Sequence, residues 1–181
     1  MSTVETERLR LRRWREDDLD ALAAIFAEPE VWRYPMGRGL TTEESERFLA
    51  RQITHWGRHG FGMWAAEARA TNELLGYIGL SVPTVLPQVL PAVEVGWRLH
   101  PRWWGAGLAT EGGRASLRHG FDVVGLDRII SIFEPENVAS GRVMAKLGLQ
   151  DWLVTEDPRL GSVLHVREIT AVQWRSGPAP G

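Results

Sequence analysis

Two glycines, Gly105 and Gly107, stand between a predicted strand and a predicted helix. Alternating apolar residues over Val93–Leu99 predict the strand, which ends before Pro101 because proline donates no hydrogen bond to a sheet. Apolar residues at helical spacing extend the helix to about Val124. The first N–H groups of a helix lack intrahelical partners and carry partial positive charge, and glycine lets an anion approach the main chain closely. The arrangement suits a phosphate-bearing ligand.

Two other phosphate-binding motifs do not fit this loop. The pattern G-x-G-x-x-G needs a third glycine at position 110, where the chain has Thr110. A P-loop needs Gly-Lys followed by Ser or Thr, and the only lysine of the chain is Lys146, far from the loop. Taken alone, the two glycines are equally compatible with a tight turn that binds nothing.

Three motifs in order give the chain a family resemblance. Arg102–Glu111 (RWWGAGLATE) resembles the acetyl-CoA pyrophosphate loop of the GNAT superfamily of N-acetyltransferases. Glu94–Pro101 (EVGWRLHP) and Asn137–Ser140 (NVAS) resemble its Rim-type branch, whose founding members acetylate the N-termini of ribosomal proteins. The resemblance extends from about Glu7 to Trp174 and implies acetyl-CoA as co-substrate.

The resemblance also implies a cofactor site. It implies that two neighbouring parallel strands splay apart, that the pantetheine arm lies between them, and that main-chain N–H groups over Trp97–Leu99 stabilise the developing oxyanion. The residues expected to contact acetyl-CoA are Trp97, Arg98, Leu99, Arg102, Trp104, Gly105, Ala106, Gly107, Leu108, Ala109, Thr110, Asn137 and Ser140.

Glu94 and Ser140 are the candidate catalytic residues. Glu94 lies on the strand expected to border the acceptor and is the candidate general base, directly or through a water; a solvent-facing strand carboxylate is the alternative. Many relatives carry a tyrosine acid seven residues after the helix-start Asn137, where this chain has Met144. Ser140 matches the serine of the Rim-type branch and is assigned the acid role. For Asn137 the structural alternative is an N-cap.

The acceptor site is expected at the loop between the first two helices, which the resemblance makes a wall of that site. Trp32, Tyr34 and Arg38 are the candidate substrate contacts, and packing beneath the loop is the alternative for the two aromatic residues. His55 and His59 lie four apart on a predicted helix, but a metal site needs further ligands, so no metal is expected.

Length and composition predict one ordinary globular domain. The 181 residues are 44% hydrophobic and 24% charged, which is ordinary for a globular protein. The net charge of −2 argues against nucleic-acid binding. The absence of cysteine argues against disulfides and a cysteine nucleophile. With no signal peptide or membrane-spanning run recognised, the expected location is the cytoplasm. The expected domain covers 1–175, followed by a disordered tail over 176–181.

The predicted fold is α/β, a single GNAT-like domain. Its mixed, mostly antiparallel sheet has about seven strands, of which the fourth and fifth are parallel and splayed, and about four flanking helices. The last predicted strand is Val163–Trp174. The loop Pro83–Pro91 contains three prolines and is compatible with a lid, a connector or a dimer contact, which leaves a homodimer open.

These residues predict acetyl transfer from acetyl-CoA to a primary amine, without a covalent enzyme intermediate. The leading acceptor is a protein or peptide N-terminus. A small amine, such as an aminoglycoside, amino acid or polyamine, is the alternative acceptor. A non-catalytic acyl-CoA-binding module is the alternative outside enzymes. No nucleic acid or membrane is expected as a partner.

Overall fold

A computed structural model describes residues 3–177 of the chain. Its strands are β1 (Thr3–Glu5), β2 (Leu9–Arg12), β3 (Met63–Ala68), β4 (Leu74–Ser81), β5 (Val93–Leu99), β6 (Arg128–Phe133), β7 (Gln150–Glu156) and β8 (Val163–Thr170). Its helices are α1 (Leu19–Ala27), α2 (Thr42–His59), α3 (Leu108–Arg118), α4 (Val138–Lys146) and α5 (Ala171–Ser176), and a π-helical segment, His119–Val124, continues α3.

The strands form one sheet in the order β1-β2-β3-β4-β5-β6-β8-β7. Every neighbouring pair is antiparallel except β5 and β6, which are parallel. The predicted mixed sheet with one parallel pair is confirmed. The additional strand is the short β1, which pairs with β2, so the parallel strands are fifth and sixth in the chain rather than fourth and fifth.

Helices α3 and α4 cover one face of the sheet, because their apolar stripes need a buried partner. Leu117, Met144 and Leu147 pack there with Val95 of β5. Helices α1 and α2 cover part of the other face, where Phe26 and Phe48 pack on Tyr77 of β4. The buried core therefore lies in two layers, one on each side of the sheet.

The β4–β5 connection covers the rest of that second face. Leu86 and Val89 are buried against Ile130 of β6 and Val166 of β8. The side chain of Gln88 donates to Thr155 Oγ1 and to the Glu156 carbonyl, both at 2.9 Å. The proline-rich connection is thus a packed part of the fold that shields the far half of the sheet.

The end of the chain corrects one prediction. The strand predicted over Val163–Trp174 stops at Thr170, and α5 follows. Thr170 Oγ1 accepts from the Gln173 N–H, and Gln173 Oε1 accepts from the Thr170 N–H, which is a capping box. Ser176, predicted to begin a disordered tail, belongs to α5, and residues 178–181 of that tail lie outside the described residues.

Candidate active site

Strands β5 and β6 form a V that opens toward the glycine loop. Only two rungs are paired, Val93 with Ile129 and Glu94 with Ile130. At the next position the Ser131 hydroxyl donates to the Val95 carbonyl at 2.8 Å, so a side chain replaces the ladder bond where the strands separate. The separated main chain of β5 borders a cleft of 550 Å³ that reaches from this V to the starts of α3 and α4.

The glycine loop closes one end of the cleft with main chain alone. Gly105 and Gly107 have φ values of +75° and +81°, a conformation that favours glycine. A Cβ built on Gly105 would meet nothing within 4 Å, and one on Gly107 only Arg8 Nη2 at 3.5 Å. The unpaired N–H groups of the first turn of α3 follow directly. The loop can therefore receive an anion without side-chain obstruction.

The loop is held from behind by residues of the β1–β2 turn. Arg8 donates from Nη1 to the Ala106 carbonyl at 2.7 Å and from Nε to Glu111 Oε2 at 2.7 Å. Glu111 Oε1 also accepts from Thr6 Oγ1 at 2.6 Å and from the Arg8 N–H at 2.8 Å. Although burial opposes ionisation, these donors outweigh it and hold the pKa of Glu111 below its ordinary value. We call Thr6, Arg8 and Glu111 the loop brace.

Helix α4 supplies the wall facing the glycine loop. Asn137 caps the helix, because its Oδ1 accepts from the Ser140 N–H at 3.2 Å, and both residues line the cleft. Arg142 and Lys146 line it as well and carry positive charge toward it. Neither cation was among the predicted contacts, although Lys146 follows Ser140 and Val143 at intervals of three on one helical face. Met144 lies on the opposite side, fully buried in the core.

Glu94 occupies the last paired rung at the closed end of the V. Its antiparallel partner on β4 is Ser81. Burial raises the pKa of Glu94 from 4.5 to about 7, although the Ile132 N–H, the charge of Arg98 and the Ser81 hydroxyl act in the opposite direction. A carboxyl group with this pKa exchanges protons near neutral pH.

The loop between α1 and α2 approaches the cleft from the face that carries Glu94. Tyr34 lines the cleft and donates from its hydroxyl to the Glu136 carbonyl at 3.2 Å. The Trp32 ring packs edge-on against Phe26, with the ring centroids 5.0 Å apart. Arg38 is turned to α2, where it forms a bidentate ion pair with Glu44 at 2.6 and 2.9 Å.

The structure brings most of the predicted site residues to one cleft. Those that line it are Tyr34, Trp97, Arg98, Leu99, Trp104, Gly105, Gly107, Leu108, Ala109, Thr110, Asn137 and Ser140. Trp32, Arg38, Glu94, Arg102 and Ala106 do not line it. Arg102 pairs with Glu73 at 2.8 Å, and the Ala106 carbonyl is engaged by the loop brace.

The cleft is also lined by residues that were not among the predicted contacts, some inside the quoted motifs and the others in segments without a motif. These residues are Glu30, Val31, Arg33, Trp103, Glu136, Val138, Ala139, Arg142, Val143 and Lys146. Within residues 3–177, no group of three or more His, Asp or Glu side chains is placed to hold a metal ion. Among the helices of that same range, none combines the length and apolar character that crossing a bilayer demands.

Comparison with known proteins agrees with this geometry. Residues 8–150 match the acetyltransferase (GNAT) domain family. The chain is 32% identical over 148 residues to an uncharacterized N-acetyltransferase of Bacillus subtilis, YoaA, covering 81% of this chain and 82% of that protein. It is also 32% identical over 158 residues to an Aspergillus fumigatus protein named FsC-acetyl coenzyme A-N(2)-transacetylase, covering 81% of this chain and 64% of that protein.

A solved structure shows the same fold. The ribosomal L7/L12 α-N-protein acetyltransferase in complex with coenzyme A superposes with a TM-score of 0.75 at 15% identity, covering 93% of this chain and 98% of the other. Sequence match and shared fold agree with the strand, glycine loop and cleft described above. The chain therefore belongs to the GNAT family and is an acetyltransferase that takes its acetyl group from acetyl-CoA.

Proposed function

We propose that this acetyltransferase acts on the α-amino group of a protein or peptide N-terminus, as the Rim-type branch does. The observation that carries the proposal is the position of Glu94, at the closed end of the V, where burial raises the pKa of its carboxyl group to about 7. An N-terminal ammonium has a reference pKa of about 8, so its proton can pass to such a carboxylate at a small cost in free energy. A lysine ammonium, at about 10.4, holds its proton more tightly and makes the same transfer less favourable.

The cleft suits the pyrophosphate and the pantetheine arm of acetyl-CoA. The N–H groups of Leu108, Ala109 and Thr110 form the first turn of α3 and suit the pyrophosphate, for which the glycines leave space. Arg142 and Lys146 add positive charge on the facing helix. The open edge of β5 suits the amide-bearing pantetheine arm, because β6 leaves this edge unpaired after Glu94.

These positions support the following catalytic roles. Bound acetyl-CoA supplies an activated thioester carbonyl. Because Glu94 does not line the cleft itself, it accepts the proton of the acceptor ammonium through a water. Main-chain N–H groups over Trp97–Leu99 donate to the carbonyl oxygen as negative charge develops there. Ser140, at the start of α4, passes its hydroxyl proton to the departing thiolate and takes up the proton that the attacking nitrogen loses as the amide forms, so the hydroxyl is restored. Because a thiol with a pKa of roughly 8.5 leaves reasonably well unaided, losing Ser140 should slow turnover without abolishing it.

A small-molecule amine is the second candidate acceptor. The Aspergillus fumigatus relative named as an N(2)-transacetylase supports it, since it is 32% identical to this chain. The ribosomal-protein acetyltransferase, at 15% identity, shares the fold alone, so the comparisons by themselves do not favour the peptide acceptor. Proton transfer to Glu94 favours an amine of low pKa, and a peptide N-terminus is such an amine.

Thiol release from acetyl-CoA distinguishes these acceptors. The panel contains a peptide with a free N-terminus, the same sequence with a blocked N-terminus and one lysine, a polyamine and an aminoglycoside. We expect kcat/KM at about pH 7 to be at least about tenfold higher for the free N-terminus than for the lysine peptide. Preference for the polyamine or the aminoglycoside would overturn the peptide assignment. Calorimetric binding of acetyl-CoA with no turnover on any acceptor would overturn catalysis itself.

A further inference from the structure

Residues Val31–Tyr34, which we call the strap, cross the open end of the V between its two arms. On the β5 side, Arg98 Nη1 donates to the Val31 carbonyl. On the other side, the Tyr34 hydroxyl donates to the carbonyl of Glu136, in the connection from β6 to α4. The strap is therefore fastened at both ends, and Val31, Arg33 and Tyr34 line the cleft beneath it.

Arg98 makes three separate contacts that hold this end of the strap. Besides the bond to Val31, its Nε donates to Tyr77 Oη at 3.1 Å. Its guanidinium carbon lies 3.9 Å from the centroid of the Trp32 ring, a cation–π geometry. In the part of the chain that the structure describes, Arg98 has no ion pair within 4.0 Å. Its donors are thus directed to the strap and to the residue beneath it.

The two faces of β5 separate the cofactor from the strap. Trp97 and Leu99 pack toward α3, whereas Arg98 projects between them toward the face covered by α1 and α2. Glu94 lies on the same face as Arg98, since residues four apart on a strand point the same way. The main chain of Trp97–Leu99 can therefore serve the thioester while the Arg98 side chain shapes the acceptor side.

We propose that Arg98 is a positioning residue for the acceptor, acting through the strap. The inference rests on the proposed function and deepens it. Held by Arg98 and Tyr34, the strap roofs the approach to the V and aligns an extended peptide whose N-terminus passes beneath it. A small amine such as glycinamide, whose α-amino group has a low pKa like that of a peptide N-terminus, occupies only the reacting end and does not need the strap.

Steady-state kinetics with Arg98→Ala test the role. We expect KM for the peptide acceptor to rise by about tenfold or more, with the Kd for acetyl-CoA unchanged within about twofold. The kcat/KM for glycinamide should fall by a clearly smaller factor, which reflects only the loss of the Arg98 charge near Glu94. Arg98→Lys keeps a donor but loses the planar stack, so it should recover part of the peptide KM. Tyr34→Phe removes the other fastening and should shift the peptide KM in the same direction without altering Arg98.

Arg142→Ala is the matched control, because Arg142 lines the same cleft from α4. It should weaken acetyl-CoA binding and leave the peptide KM nearly unchanged, the reverse of Arg98→Ala. If Arg98→Ala weakens acetyl-CoA binding instead, Arg98 is a cofactor residue and the proposal is wrong. Equal losses of kcat/KM for peptide and glycinamide would also overturn it, because they would indicate a general disturbance of the V.

A second measurement needs no acceptor and keeps the proposal testable if no peptide is turned over. Arg33 is exposed within the strap, and Arg58 is exposed at the end of α2, away from it. We expect trypsin to cleave after Arg33 at least about tenfold faster in Arg98→Ala than in wild type, with cleavage after Arg58 unchanged. Unchanged cleavage at Arg33 would show that Arg98 does not hold the strap. If cleavage after Arg33 is faster in Arg98→Ala but the wild type acetylates no peptide, Arg98 holds the strap and only the proposed acceptor is wrong.

Discussion

At the scale of single residues, Glu94 couples activity to stability. Its pKa is raised in the folded chain, so the folded state favours the protonated form. The stability that this contributes is complete below the unfolded pKa and is lost as pH rises through about 7. A base of this kind therefore costs folding free energy under the conditions in which it works.

Glu94→Gln separates the two effects. We expect the pH–rate profile of the variant to lack the rise near pH 7 that reflects ionisation of Glu94. At pH values above that rise, its kcat/KM should be about 10²- to 10⁴-fold lower than that of wild type. In urea unfolding it should be more stable than wild type at about pH 8, by at most about 3 kcal/mol, with the difference shrinking toward pH 5. A variant with wild-type rates at every pH would remove Glu94 from the mechanism.

Gly107 tests the glycine loop at the same scale. In Gly107→Ala the new methyl group would be in ordinary contact with Arg8 Nη2 at 3.5 Å, but the residue would keep a φ of +81°, which costs about 1–2 kcal/mol for an L-residue. Gly161→Ala carries the same strain at φ +68°, outside the cleft. We expect both variants to lose similar stability in urea and only Gly107→Ala to lose acetyl-CoA affinity by calorimetry. Equal affinities would disprove the pyrophosphate role of the loop.

At the scale of elements, the loop brace connects the β1–β2 turn to the start of α3. Arg8 contacts the glycine loop and the first turn of α3 together, so it restricts the loop before any ligand binds. Arg8→Ala should lower acetyl-CoA affinity several-fold, because binding must then order the loop. The stability loss should stay near about 1 kcal/mol, since Arg8 is half-exposed.

The control for the brace is Arg10→Ala on the adjacent strand. Arg10 pairs with Glu5 at 3.2 Å and does not contact the loop. Calorimetry with acetyl-CoA should give wild-type affinity for Arg10→Ala and reduced affinity for Arg8→Ala. If both variants bind equally well, the glycine loop is rigid without its brace.

The sequence predicted those helices and strands that are indicated by residues close together in the chain. The sequence predicted the strand Val93–Leu99, the glycine loop and the helix after it. The alternation of apolar residues indicates the strand, the proline indicates its end, and the glycines indicate the loop. The helix at Ala171–Ser176 carried the signature Thr170-x-x-Gln173, but its apolar run continued the strand pattern and obscured the cap. Contacts between distant segments left no local signal. Arg8 with Glu111 and Arg98 with Val31 became visible only in the folded chain.

At the scale of the whole molecule, the location of the charged residues matters more than the net charge. The net charge of −2 conceals a buried network in which Arg12 joins β2 to the turn before α1 and to β3. Arg12 donates to both carboxylate oxygens of Asp18, at 2.6 and 2.8 Å, and to Glu67 at 2.7 Å. These three residues are 7%, 7% and 8% exposed. The network fixes α1, and with it one end of the strap, to the edge of the sheet.

Arg12→Met tests this network. Replacing the guanidinium leaves two buried carboxylates without their partner, which costs about 3–5 kcal/mol, whereas removing a surface pair costs about 1 kcal/mol or less. Arg128→Met is the matched control, because Arg128 pairs with Glu168 at 3.3 Å in a partly exposed position. Urea unfolding should show the large loss only for Arg12→Met. A loss no greater than that of Arg128→Met would mean that solvent reaches the network and that apolar packing alone holds α1 against the sheet.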